Sequence, residues 1–307
     1  MSLKVIKAGI LDTIQDMGRY GYQQYGINPG GAMDQFAARM ANFLAGNSLN
    51  EAVIEMHFPA STFVCTKAGV FVLTGGDFSA FLDEAPILCN IPFVAKENSV
   101  IRFTQPVKGA RCYLAVRGGF ELTKWLNSYS TNFKAGMGGL EGRRLLKNDV
   151  LVFRRNTIPN LPLRESENSV NTEAYLDTNE ILVLPGNEWN WLTQKSQEVF
   201  LQEKFSISNN SDRMGYRLTG PALKEKINEQ LISTPVCCGT IQLLPDGQLI
   251  LLMADNQTTG GYPRIAHVIS AYLPVAAQKK APDDIQFKMT NIAVAELLLC
   301  EEEKLFL

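Results

Sequence analysis

Between residues 208 and 268 the chain gathers charged, hydroxyl and amide side chains around glycines. In SNNSDRMGYRLTG (208–220), Ser211, Asp212, Arg213 and Arg217 surround Gly215. Further on, the apolar run Leu249 to Met253 stops at ADNQTTGGYP, which supplies Asp255, Gln257, Thr258, Thr259, Gly260, Gly261 and Tyr262. A buried strand that ends in small polar residues and paired glycines leads into a binding loop. Arginine presents a planar fork to an oxyanion, while carboxylate, amide and hydroxyl groups read N–H donors and carbonyls. The set suits a small molecule bearing an oxyanion or an amide. Arg213 and Arg217 share a face only on a helix, and Gly215 favours a turn. Asp255 and Gln257 point the same way if the strand continues through them. The alternative is a polar loop that satisfies its own backbone.

Two earlier stretches carry related chemistry. In GILDTIQDMGRYGYQQYGINPGGAMD (9–34), Gly30 and Gly31 follow Pro29 and precede a helix, so their amides could attract an anion. The competing reading is a simple turn into the helix. Asp16 either pairs with Arg19 or caps a turn. In AVRGGFELTKWLNSYSTNFKAGMGGLEGRRLLKNDV (115–150), Arg117 ends a strand. Ser128, Ser130 and Thr131 add hydroxyls, and Gly136, Gly138, Gly139 and Gly142 surround Arg143 and Arg144. Glycines let a ligand approach the backbone, but a glycine-rich barrel corner reads the same way. The phosphate loop G-x-x-x-x-G-K-[ST] is absent.

The elements that must position these residues are mostly strands. Residues 70–76, 99–105, 112–119, 149–155, 180–186, 205–208, 249–255 and 284–290 have the composition and boundaries of strands, with a turn at PDGQ (245–248). The clearest helix spans 33–47, with Asp34 as its cap, Phe36, Met40, Phe43 and Leu44 as its stripe and Gly46 at its end. Weaker helical patterns cover 192–202 and 269–280. Many strands with few helices predict a mainly β protein with closed or sandwiched sheets. Length predicts two domains. The polar, proline-bearing stretch before Glu180 separates residues 1–158 from 179–307, with 159–178 as linker. The halves echo each other faintly, at NDVLVF and DDIQF and at the two Gly-Gly pairs, which hints at a duplicated barrel.

Composition narrows the function classes. The chain has 307 residues, a net charge of −2 and no basic block, which argues against nucleic acid. No apolar stretch is long enough to span a membrane and no secretory leader is evident, so a cytoplasmic location is expected. Six cysteines without a C-x-x-C pair read as reduced thiols. Two histidines, His57 and His267, supply a metal site or a triad poorly, and no metal is expected.

Five segments taken together resemble one family. They are TIQDMGRYGYQQYGINPGGAMD, YLAVRGG, SYSTNFKAGMGGLEGRRL, SDRMGYRLTG and ADNQTTGGYPRIAHV, in order and spanning nearly the whole chain. The family is the biotin-dependent carboxyltransferase-like group known as allophanate hydrolase subunit 2, or KipA. The resemblance implies two cyclophilin-like β-barrel domains. It also implies a role as the C subunit of a 5-oxoprolinase complex, opening 5-oxo-L-proline to L-glutamate with ATP. Its partners there would be a KipI-like B subunit together with an A subunit. Two alternatives come with the resemblance. One is a regulator that binds a KipI-like inhibitor of a sensor histidine kinase. The other is a carboxyltransferase taking its carboxyl group from biotin for urea. The chain contains no biotin-attachment sequence, and the ATP site is not evident. On this view Asp255, Arg213, Arg217 and Arg143 are the catalytic candidates. Gln257, Thr258, Thr259, Gly260, Gly261, Tyr262, Asp212, Arg117 and Ser130 contact the amide substrate, and Gly30, Gly31, Gly138 and Gly139 hold phosphate.

Overall fold

The structure is a computed structural model that describes residues 2–154, 174–227 and 229–307. The chain forms two compact units: residues 1–19 with 30–176, and residues 20–29 with 177–307. The expected linker lies outside the described residues up to position 173. Its end forms a short helix, described below.

The first unit is built from two sheets over one apolar core. Its early strands are β1 (Ser2–Lys7), β2 (Thr13–Gln15), β3 (Val53–Met56) and β4 (Thr62–Cys65). The long hairpin-rich middle adds β5 (Gly69–Asp77), β6 (Ala80–Leu82), β7 (Ala85–Ile87), β8 (Phe93–Ala95) and β9 (Val100–Phe103). β10 (Lys108–Val116) and β11 (Val150–Val152) complete it. One sheet runs β11-β1-β4-β9-β6-β7 and the other β2-β3-β10-β5-β8. Leu3, Val5, Ile14, Ile54, Phe63, Phe71, Leu73, Leu114 and Phe120 pack between them. Helix α1 (Gln35–Ala45) packs on β5 and β10. The Asp34 carboxylate accepts the Ala37 N–H, and Gly46 ends the helix at φ 72°, as the sequence predicts.

The second unit is a closed barrel. Following the short helix α2 (Ala174–Asp177), which straddles the boundary between the units, come β12 (Glu180–Pro185), α3 (Gln194–Gln202), β13 (Lys204–Ile207) and β14 (Gly215–Thr219). Next are β15 (Thr234–Pro235), β16 (Thr240–Leu243), β17 (Leu249–Leu252), β18 (Thr259–Gly260) and β19 (Arg264–Val268). Helix α4 (Leu273–Ala277), β20 (Asp284–Met289) and α5 (Ile292–Lys304) end the described chain. The barrel order is β12-β19-β16-β17-β14-β13-β20, closed where β20 runs parallel to β12. Ile241, Leu243, Leu249, Leu251, Ile265 and Phe287 fill it. Strands β15 and β18 pair with each other outside the ring.

All eight expected strands overlap an observed one. The run expected at 249–255 stops at Leu252, so Asp255 and Gln257 do not share a strand face; Ala254 and Asp255 turn instead. The sequence pattern assigns no element to α5. Its apolar run carries neither a polar face nor a buried one, so periodicity offers no signal. Among the described residues, no helix is long and apolar enough to cross a membrane, and no group of three His, Cys, Asp or Glu side chains is arranged around a common metal position.

Candidate functional site

In the second unit the antiparallel ladder brings the start of β14, the end of β17 and the start of β16 to one end of the barrel. Arg213 precedes β14 and Asp255 follows β17. The register Gly215↔Leu252 sets them side by side across 42 residues of chain. The Arg213 Nε donates to Asp255 Oδ2 at 2.8 Å and its Nη2 to Oδ1 at 3.2 Å. The Asp255 N–H also donates to the Arg213 carbonyl. Both side chains are nearly buried, so the pair is held rigidly. Cys238 lies close enough to feel both charges, and burial pushes its thiol up to about 12, so it is a protonated thiol and not a nucleophile. Arg217 has the opposite fate. It lies on β14, with its backbone paired to Ser208 and Ser211, and its side chain is exposed. The strand conformation separates two arginines that a helix would have placed together. The Asp212 carboxylate closes a turn by accepting the Met214 N–H at 2.7 Å.

The loop after Asp255 runs back along the outside of the barrel. Asn256 is buried and donates to the Gln257 carbonyl. The Val236 N–H donates to the Thr258 carbonyl, and Thr259 and Gly260 pair with Pro235 and Thr234. Gly260 ends β18, Gly261 follows it, and Tyr262 is 44% exposed. The next strand places an ion pair here that sequence spacing does not reveal. Arg264 donates through Nε and Nη2 to both oxygens of Glu188, at 2.9 and 2.7 Å. Burial opposes the Glu188 charge, but Arg264 outweighs it and holds the carboxyl below the usual range. His267 hydrogen-bonds Thr240 Oγ1 through Nδ1. Burial first, and Arg264 second, lower its pKa, which keeps the ring neutral at pH 7.

The first unit holds the remaining candidates. Asp16 is a hub: Oδ1 accepts from Gly18 N and Ser128 Oγ at 2.8 and 2.7 Å and also from Ser130 Oγ, and Oδ2 accepts from Tyr129 N at 2.6 Å. Ser130 is therefore buried and spends its hydroxyl on Asp16. The Arg19 guanidinium donates to the Ser130 carbonyl and stacks on Trp125, 4.8 Å from the ring centre. Arg143 is clamped by Asp149 and Glu141, both at hydrogen-bond distance. Arg117 donates to the Ala45 carbonyl at the C-terminus of α1, where a cation is favoured.

The glycine amides are largely engaged. At the start of α1, Ala32 N–H goes to the Asp16 carbonyl and Met33 N–H to Glu55. Gly31 adopts φ 97° with the Gly18 backbone pressed to within 3.0 Å of where a Cβ would sit. Gly139 N–H goes to the Tyr129 carbonyl, and a Cβ on Gly138 or Gly139 would collide with Ser130 or Thr131. Gly31, Gly138 and Gly139 thus serve close packing, which does not fit an open phosphate cradle at those three positions.

Comparison with known proteins agrees with this architecture. A protein of Escherichia coli (strain K12), named as the C subunit of 5-oxoprolinase, is 36% identical over 304 residues, covering 99% of this chain and 96% of its own. The Haemophilus influenzae protein of the same name is 36% identical over 95% of this chain and 92% of its own. The crystal structure of Kluyveromyces lactis urea carboxylase superposes with a TM-score of 0.92 at 27% identity, over 99% of this chain but only 29% of that one. The description "Carboxyltransferase domain, subdomain A and B" matches residues 25–289. With that match over most of its length, the chain belongs to the carboxyltransferase-domain family of subdomains A and B.

Proposed function

We propose that the chain is the C subunit of a 5-oxoprolinase complex, which opens 5-oxo-L-proline to L-glutamate. The observation that carries this reading is the 36% identity, along nearly the whole length of both chains, to two proteins of that name. The chemistry of the second unit is compatible with it. A five-membered lactam is a resonance-stabilised amide, so its carbonyl resists water. Phosphoryl transfer from ATP would convert the carbonyl oxygen to a phosphate ester and release ADP. Water would then add to that carbon, and the ring C–N bond would break with the nitrogen taking a proton to become the α-amino group. A second water would cleave the resulting acyl phosphate to the side-chain carboxylate of glutamate and free phosphate.

The chain's own residues bind and orient. Arg213 holds Asp255 in one geometry, and the carboxylate edge facing away from the guanidinium is left to serve activation of the amide. Thr258, Gln257 and Tyr262 border the amide edge. Gly31, Gly138 and Gly139 leave no open cradle for phosphates, so ATP is assigned to a partner chain or to a surface completed by one. The expected partners are a KipI-like B subunit together with an A subunit, in a cytoplasmic complex outside which this chain is inactive. A carboxyltransferase for urea is the second reading, supported by the 0.92 superposition on urea carboxylase. It would require biotin carried on another chain.

The test is glutamate release from 5-oxoproline and ATP by the three subunits, each omitted in turn. Loss of activity when this chain is omitted is the expected result. Full activity without it, with retained binding to the KipI-like chain, would replace the reading with the regulatory one. Carboxylation of urea in the presence of carboxybiotin would replace it with the second.

A further inference from the structure

Gln242 lies in the middle of β16, between the core residues Ile241 and Leu243, and so points to the opposite, outer face. That face is covered by Gly260 of the β15–β18 ladder and the chain to Tyr262, and Gln242 is fully buried. Its Nε2 faces the Tyr262 carbonyl at 3.4 Å, while its Oε1 has no hydrogen-bond partner. The amide orientation follows from this, because turning it over would set two carbonyl oxygens against each other. Buried acceptors without a donor are rare and call for an explanation.

The surroundings narrow what could supply the donor. The cross-strand neighbour Arg264 is held by both oxygens of Glu188, so its charge is already spent. Gly260 sits directly over Gln242: a Cβ there would lie 2.7 Å from Nε2. No side chain at 260 could be accommodated without displacing the amide. Tyr262, half-exposed at the edge, offers an aromatic wall. The cover itself is light, with two residue pairs joining β15 to β18. A neutral acceptor under a glycine and beside a spent cation fits a neutral N–H donor and not an anion.

We infer that Gln242 is a specificity-determining residue that accepts the N–H of a planar lactam or ureido ring admitted beneath the β15–β18 ladder. The inference rests on the amide-substrate reading above and deepens it. Asp255 and Gln242 would then read different groups of one ligand class: the carboxylate serves activation, and the amide oxygen rejects rings lacking an N–H.

The experiment uses the reconstituted complex with 5-oxoproline, its N-methyl derivative and 2-imidazolidone, the bare ureido ring. Binding is read by calorimetry and turnover by glutamate release. For the unaltered complex, both N–H rings should bind and the N-methyl compound should bind about 10- to 100-fold more weakly. Gln242→Leu should remove most of that discrimination and raise KM for 5-oxoproline by a similar factor, with a smaller change in kcat. Because Oε1 has no partner to lose and Nε2 gives up only its long contact with the Tyr262 carbonyl, this variant should change Tm little. A second variant, Gly260→Ala, displaces the amide from above and should blunt the same discrimination. Unchanged discrimination in both variants overturns the inference, as does a bound-ligand structure with a water on Oε1 and the ring elsewhere. Ring binding that depends on Gln242 without any glutamate release would sink the 5-oxoproline reading alone.

Discussion

The tripeptide Thr-Ile-Gln occurs twice, at 13–15 in the first unit and 240–242 in the second. In both places it is a barrel or sheet strand with the isoleucine buried in the core. In both, the threonine and glutamine are buried on the other face, and the glutamine Oε1 lacks a hydrogen bond. The surroundings differ. After Gln15 the chain leaves the sheet at once into Asp16, whose carboxylate is filled by four neutral donors. Gln15 Nε2 turns back to Thr13 at 2.9 Å. After Gln242 the strand runs one residue further, the glutamine lies under Gly260, and the carboxylates of the candidate site, Glu188 and Asp255, are matched to arginines. One tripeptide thus sits beside a hydrogen-bonded carboxylate hub in one unit and beside an arginine–carboxylate pair in the other. Local pattern sets the strand faces, and neighbours decide what a buried polar side chain is for.

Four measurements would break or sharpen that contrast. The largest effect is expected at the hub. Asp16→Ala removes four hydrogen bonds to a buried carboxylate, and urea unfolding should show a loss on the order of 5 kcal/mol. Asp255→Ala removes the carboxylate that balances the nearly buried Arg213 charge and should cost about 3–5 kcal/mol. It should also abolish activity of the complex. If Asp16→Ala abolished turnover while leaving stability intact, the two carboxylates would have to exchange roles.

The third test concerns Asp12, next to the first tripeptide. Burial raises its pKa from the ordinary 3.8 to about 6, against hydrogen bonds from Ser61 and His57. The folded chain therefore binds more protons than the unfolded one between those values, and stability falls as pH rises from about 4 to about 6. The full change is roughly 3 kcal/mol. Asp149 and Glu188, held low by their arginines, act with the opposite sign and lose their contribution only as pH falls further. Denaturation followed against pH should show the slope in the parent and a flatter line in Asp12→Asn.

The smallest effect is expected at Gln15. Gln15→Leu gives up one hydrogen bond to Thr13 and relieves an acceptor that has none, so stability should move by about 1 kcal/mol or less. Ligand discrimination should not change. A loss of discrimination equal to that of Gln242→Leu would mean that the two tripeptides do the same work.

The sequence by itself determined a good deal. Alternation and turn residues located the main strands, Asp34 and Gly46 bounded α1, and five segments in order pointed to the family. The polar cluster around Arg213 and Asp255 was visible as composition. Tertiary structure decided how those residues are used. Arg213 meets Asp255 through the β14–β17 register, across 42 residues, and Asp16 meets Ser130 across 114. Sequence spacing carries no trace of either distance. The strand geometry turned Arg217 outward, and the folded loops committed Arg143, Arg117 and much of the glycine-pair backbone to local contacts. Folding also buried Gln242, an inconspicuous strand residue, under Gly260. Period-two patterning tells which side chains share a face. Which strand crosses next, and therefore which donor meets which acceptor, is fixed only when the barrel closes.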